Sequence, residues 1–150
     1  ITIMSPYFLP TQALIRSLQV AALRGIEVSI VLPEKNTLVY VDWACRHMLW
    51  QLGGSGINIY YQPAPFEHSK LFIMDNHYSL IGSANFDPRS LRLNYEIGVE
   101  IYDEQLASEL SQYTLKVIAG SHLVTLDELA QRSFPVKIRD GIAWLFSPYL

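Results

Sequence analysis

Cysteine occurs once in the 150 residues, as Cys45. No intrachain disulfide can staple the fold, and one thiol without Cys or His partners nearby points to no metal site. A buried, inert thiol is the expected role. Charge is scarce as well: 17% of the residues are Asp, Glu, Lys or Arg against 50% hydrophobic, which excludes a disordered chain and fits a globular one with a real core. Basic residues are outnumbered, eleven to fourteen, for a net charge of −3. Proteins that live on phosphate backbones usually carry a basic excess, so this balance counts against a nucleic-acid partner. No apolar run reaches the roughly 18 residues of a membrane span, and no signal-peptide pattern opens the chain. The chain starts at Ile1, directly in an apolar strand, and a fragment or processed piece is expected.

What is present reads as one α/β domain over residues 1–150. "ITIM" is a buried strand that ends at "SPYFLP", where Pro6 and Pro10 stiffen a loop. From Thr11, Leu14, Ile15, Leu18, Ala21 and Ala22 recur at helical spacing until Gly25. "IEVSIVL" predicts a strand closed by Pro33, residues 38–52 a second helix ended by Gly53-Gly54, and "INIYYQ" a third strand. This β-α-β-α-β opening calls for a mixed, mostly parallel sheet with helices packed on it. "HSKLFIMD" and "YSLIGSAN" then flank Asn76-His77, which predicts an antiparallel hairpin. "EIGVEIYD" is a further strand, Asp103 can cap the next helix, and "TLDE" at 125–128 is a capping box. In the closing segment Ile138, Ile142, Leu145, Phe146 and Tyr149 form one helical stripe, expected to pack onto the domain, with a bilayer surface as the alternative.

The hairpin holds residues that apolar strands do not need. His68 and Lys70 share a strand face. If Asn76-His77 is the whole turn, paired residues sum to 153, which sets His68 opposite Asn85 and Lys70 opposite Ser83. A histidine can act as nucleophile or proton carrier near neutral pH. A lysine ammonium suits a phosphate oxygen, and serine and asparagine add donors for an oxyanion. Gly82 permits a close approach. No carboxylate cluster at metal-binding spacing accompanies them, so chemistry without metal or other cofactor is expected. Asp75 has the opposite parity and lies at the turn, where it reads as a structural anchor.

The pattern His68-x-Lys70-x4-Asp75-x6-Gly82-Ser83-x-Asn85 resembles the HKD motif of the phospholipase D superfamily. "SPYFLP", "AALRGIEV", "VDWACRHML", "NFDPRSLRLNYEIGVEIYD" and "LFSPYL" extend the likeness over nearly the whole chain, to the C-terminal half of bacterial cardiolipin synthases. The resemblance implies a phospholipase D-like fold and a catalytic set of His68, Lys70 and Asp75, with Glu96 orienting the histidine. It implies a covalent phosphohistidine, with Lys70 and Asn85 on the phosphoryl oxygens, and a phosphatidyl group passed from one phosphatidylglycerol to another to give cardiolipin and glycerol. His68 is nucleophile or general acid; a second motif must supply the other histidine. Only one HxK occurs here, since His47, His77 and His122 lack a lysine two places on. The expected partners are therefore phosphatidylglycerol or another phospholipid, an N-terminal HKD half or a second copy of this chain, and a membrane surface. The implied location is the bacterial cytoplasmic membrane, as a peripheral domain. A homodimeric phosphodiesterase or nuclease of the superfamily, and an inactive membrane-docking module, are the alternatives.

Other residues carry weaker signals. Tyr7 and Phe8, at a strand end, could line a substrate cleft or pack locally. Glu96 could instead pair with Arg89 or Arg92. Trp43, His47 and Trp50 form a helical stripe best explained by packing, Asp42 and Arg46 an i,i+4 pair, and His77 a surface residue in the turn.

Overall fold

A computed structural model describes residues 1–65 and 67–149. The elements follow the order β1 (Thr2–Met4), α1 (Gln12–Leu23), β2 (Ser29–Pro33), α2 (Val39–Gly53), β3 (Asn58–Gln62), β4 (Leu71–Met74), β5 (Tyr78–Gly82), α3 (Pro88–Arg92), β6 (Gly98–Tyr102), α4 (Glu104–Ala119), β7 (His122–Leu123), α5 (Leu126–Gln131) and α6 (Phe134–Leu145). A 3-10 turn, Ser147–Tyr149, follows α6. The strands form a seven-stranded sheet in the order β6-β5-β4-β1-β2-β3-β7. The α/β architecture is the one expected, with one correction. Among the described strands, β1–β2 and β2–β3 pair parallel, and the other four pairings are antiparallel. The short β7, which no sequence signal marks, adds one of these at the β3 edge.

The sheet is covered on both sides at its centre. β2 is buried along its whole length, the burial a near-continuous apolar strand requires. One face carries Ile3, Ile30, Leu32 and Ile59 into a core shared with Ile15 and Leu18 of α1 and Met48, Leu49 and Leu52 of α2. The opposite face turns Met4, Val31, Leu71 and Ile73 towards Leu110 and Val117 of α4. Side-chain caps fix the helix starts: Thr11 accepts from Leu14 N at 3.3 Å, Asp103 from Leu106 N at 2.7 Å, and Thr125 and Glu128 form a reciprocal capping box. Gly25 ends α1 with φ of +86°, a conformation that glycine adopts without a Cβ clash. Cys45 is buried, and burial pushes its thiol up to about 12.

Two expectations are overturned. The hairpin turn is Asp75-Asn76, not Asn76-His77. Both residues have positive φ (53° and 49°), and His77 N donates to Met74 O across them at 3.2 Å. A turn with two left-handed positions suits Asp and Asn, whose short polar side chains tolerate that region, better than His. His77 becomes an extra residue, paired residues sum to 152 as in Leu71 with Ile81, and Lys70 comes to face Gly82. Strand pairing also stops short of the motif's ends, so His68 and Lys70 precede β4 while Ser83 and Asn85 follow β5.

The second correction concerns α6, whose apolar stripe faces away from the domain. Packing falls to the other side of the helix: Arg139 stacks 4.3 Å over the Trp43 ring, Trp144 lies 5.3 Å from the His47 ring, and a Cβ on Gly141 would meet His47 Cε1 at 3.4 Å. The packing role read for Trp43 and His47 is thus met by α6, whereas Trp50 is exposed.

Candidate active site

The motif residues gather at one end of the sheet. There β1 finishes beside the start of β4, Met4 pairing with Leu71, and β5 finishes beside the start of β6, Gly82 pairing with Gly98. Two further segments are tied into this end. Phe8 bridges Phe86, Leu9 N donates to Phe86 O at 2.8 Å, and Ser5 Oγ donates to Tyr7 O at 2.7 Å while accepting from Phe86 N at 3.4 Å. The loop after β1 is thereby held against the segment that carries Ser83 and Asn85.

His68 and Lys70 are together. Lys70 Nζ donates to the His68 carbonyl at 2.8 Å and lies 3.0 Å from Nδ1 and 3.2 Å from Nε2. The lysine is buried, and the histidine is exposed. Burial lowers the Lys70 ammonium from its usual range, opposed by the charges of Glu96 and Asp87. Desolvation, and then the Lys70 charge, lower His68 below the ordinary histidine value. Both causes favour the uncharged form of the imidazole beside the buried lysine. The Tyr7 ring stands edge-on to His68 with centroids 6.2 Å apart, and its hydroxyl is 2.7 Å from Thr37 Oγ1.

Ser83 and Glu96 form a second group. Ser83 Oγ donates to Glu96 Oε2 and accepts from Ile97 N at 3.0 Å, and Asn94 Nδ2 donates to Glu96 Oε1 at 3.2 Å. The bonds from Ser83 and then Asn94 hold the Glu96 carboxyl below its usual range. These partners, rather than Arg89 or Arg92, take up the carboxylate.

Asn85 belongs to a third group. Its Nδ2 donates to Ser90 Oγ at 3.3 Å, while its Oδ1 is buried with no hydrogen-bond partner among the described residues. An unsatisfied buried amide oxygen costs about 1–3 kcal/mol and tends to mark a functional position. Asp87, buried, accepts from Ser90 N at 2.6 Å and from Ser90 Oγ at 3.3 Å. Asp87 and Ser90 escaped the sequence reading, although "DPRS" places an N-cap Asp before a helix-starting Pro, a signal that could have found them.

The groups share space. Lys70 and Asn85 both line a narrow apolar slot of about 70 Å³, walled by Phe72, Leu80, Phe86 and Ile97. Asn85 and Tyr7 also line a cleft of about 280 Å³ with Asp87, Ser90, Asn94 and Tyr149. Phe8 is buried in the core instead. Asp75 lies beyond the whole of β4, roughly 16 Å from Lys70 at about 3.3 Å per residue. It sits in the turn with φ of +53°, as the structural-anchor reading expects. His77 and His122 are exposed beside Glu104 (3.8 Å) and Glu128 (3.0 Å). Among the described residues no three His, Cys, Asp or Glu side chains cluster as metal ligands do.

A family model described as the cardiolipin synthase, PLD-like domain matches residues 1–118. Cardiolipin synthase 2 of Staphylococcus epidermidis is 39% identical over all 150 residues, which make up 31% of that protein. Cardiolipin synthase of Staphylococcus aureus is 38% identical over the same span, 30% of its length. The chain thus spans about a third of the curated relatives it matches. Among solved structures, Nuc from Salmonella typhimurium, a phospholipase D family member, superimposes with a TM-score of 0.70 at 24% identity, over 82% of this chain and 80% of that one. Phosphatidylserine synthase of Haemophilus influenzae Rd KW20 superimposes with a TM-score of 0.76 at 20% identity, over 99% of this chain and 41% of that one. These two likenesses concern the fold.

Proposed function

The chain belongs to the cardiolipin synthase family of phospholipase D-like domains, and on that premise we propose that it is the second HKD half of a phosphatidyltransferase. The reaction joins two phosphatidylglycerol molecules into cardiolipin and releases glycerol. The observation that carries this reading is the His68–Lys70 pair, a ring held towards its neutral form against a buried ammonium.

In the first step the unprotonated ring nitrogen of His68 attacks phosphorus. The nitrogen–phosphorus bond forms as the bond to the glycerol oxygen breaks, and the departing alkoxide takes a proton from an acid on the other half. In the second step the hydroxyl of the acceptor lipid attacks the phosphohistidine. It returns its proton to that same group, and the nitrogen–phosphorus bond breaks. Lys70 neutralises charge growing on the non-bridging oxygens, the kind of preorganised stabilisation that is worth most away from water. Asn85 can donate to the same oxygens, Ser83 orders the Glu96 carboxylate, whose charge favours the Lys70 ammonium, and Tyr7 walls the cleft.

The other half completes the site. Leu93, Tyr95, Ile97 and Val99 leave an exposed apolar surface beside the motif, at the β6 edge of the sheet. An edge strand with bare apolar side chains invites a partner, and continuity with the site favours the complementary half.

The test is cardiolipin formation from phosphatidylglycerol vesicles by the longer protein carrying this half. His68→Ala is expected to lower the rate by about four orders of magnitude or more and to abolish the acid-labile phosphohistidine. Excess EDTA should leave the parent rate unchanged. Retained turnover in the variant would sink the reading.

A further inference from the structure

We propose that the outward face of α6, together with the 3-10 turn that follows it, is a docking surface for an anionic phospholipid bilayer. The helix packs Ala143 and Trp144 against the core and still leaves an apolar stripe in solvent. Its buried side carries Asp140, fully enclosed, with Arg132 Nη1 at 2.8 Å and Arg139 Nη2 at 2.7 Å from its oxygens. Its solvent side carries Phe134 (75% exposed), Ile138, Ile142, Leu145 (67%), Phe146 and, in the turn, Tyr149 (80%). A surface helix ordinarily turns polar residues to solvent, and an exposed apolar stripe marks a contact surface for protein or membrane.

Charge selects the occupant. Across residues 132–149 three basic side chains, Arg132, Lys137 and Arg139, stand against one acidic one, Asp140, which Arg132 and Arg139 both hold, so the segment is net basic and Lys137 is its exposed cation outside that cluster. Aromatic rings bracket the apolar stripe at both ends, Phe134 before it and Phe146 and Tyr149 after it. A basic flank on an apolar, aromatic-ended face complements acyl chains under anionic headgroups.

Position gives the face a use. Tyr149 lines the cleft that also holds Tyr7 and Asn85, and Ser147 and Pro148 adjoin Pro88 and Arg92 of α3 in the neighbouring depression. A bilayer seated on α6 therefore meets the mouth of the candidate active site. A lipid need not leave the interface completely to present its phosphodiester. This use rests on the lipid reading of the site; the docking itself is measured without turnover.

The test is flotation of the 150-residue chain with vesicles of phosphatidylglycerol and phosphatidylcholine, and of phosphatidylcholine alone. The parent is expected to bind the anionic vesicles, with affinity falling as salt rises. Ile142→Glu/Leu145→Glu should lose at least about tenfold in partition, and Lys137→Glu should weaken binding to the anionic vesicles alone. Circular dichroism should stay unchanged in each variant, since all these positions are exposed. No vesicle binding by the parent overturns the proposal, as does binding that survives the double variant. So does a parent that sediments as a dimer, becomes monomeric in the double variant and ignores vesicles, because a second copy is then the occupant. None of these failures touches the phosphohistidine, which is scored separately.

Discussion

Lys70 acts on His68 in two ways, through its hydrogen bond to the His68 carbonyl and through its charge 3.0 Å from the ring. Desolvation and then that charge disfavour the imidazolium, so the ring loses its proton below the ordinary histidine value of 6.5. NMR titration of the four histidines should find His68 deprotonating below this value. Lys70→Met removes the charge and should move the His68 midpoint upward; a midpoint that stays put would deny the coupling. The sign for stability follows. Between the lowered native value and the unfolded one, the unfolded chain binds more protons. This contribution is therefore complete above about pH 6.5 and fades as pH falls through the native value. At this scale the sequence was informative, because His68, Lys70, Ser83 and Asn85 could be singled out from type and spacing, and Glu96 from the family resemblance. Their grouping was not legible: the face-to-face pairs required a register that the turn does not adopt, and the Ser83–Glu96 and Asn85–Ser90 bonds arise where strand pairing has ended.

The difference between registers is one residue, and its cause is turn chemistry. Asp-Asn-His offers two candidate two-residue turns, and only Asp75-Asn76 places residues tolerant of positive φ at both centres. With that turn, Gly82 faces Lys70 and lies against β6. A Cβ at Gly82 would stand 2.5 Å from Ile97 O and 3.0 Å from Gly98 Cα, a clash with backbone that no side-chain rotation relieves. Gly82→Ala must therefore part β5 from β6 immediately before Ser83. The expected cost is about 1–3 kcal/mol in urea denaturation. The variant should also lose activity beyond its loss of stability, because Ile97 N and O both bond Ser83; an undisturbed melting midpoint would show that the strands can yield. Of the longer helices α1 and α6 were legible through apolar spacing, α2 through the glycines that end it and α4 through its Asp103 cap, and β1 to β3 through their apolar runs. The five-residue α3 and two-residue β7 are too short for hydrophobic periodicity to speak.

Across the whole molecule, burial is lopsided. The sheet centre is enclosed between α1 and α2 on one face and α4 on the other, while the motif end of the sheet and its β6 edge stay open. Alternation in "GVEIY" would assign Val99 and Ile101 to a core. The reason Val99 is exposed instead is that α4 packs over β1, β3, β4 and β5, and sequence periodicity cannot say which helix stops short. A bare edge beside a site holding one HxK histidine has a direct consequence if the other half seats there. Ile97→Asp/Val99→Lys should leave the melting of this chain within about 0.5 kcal/mol of the parent, as surface changes usually do. In the longer protein the same pair should lower cardiolipin formation at least tenfold, with His68 and Lys70 intact. Vesicle flotation through α6 should be unaffected, because that face lies on a different element. Full activity in this variant would mean that the halves meet elsewhere. Lost flotation would mean that the edge and α6 form one continuous contact, so the two measurements together divide the exposed apolar surface into the part that completes chemistry and the part that meets lipid.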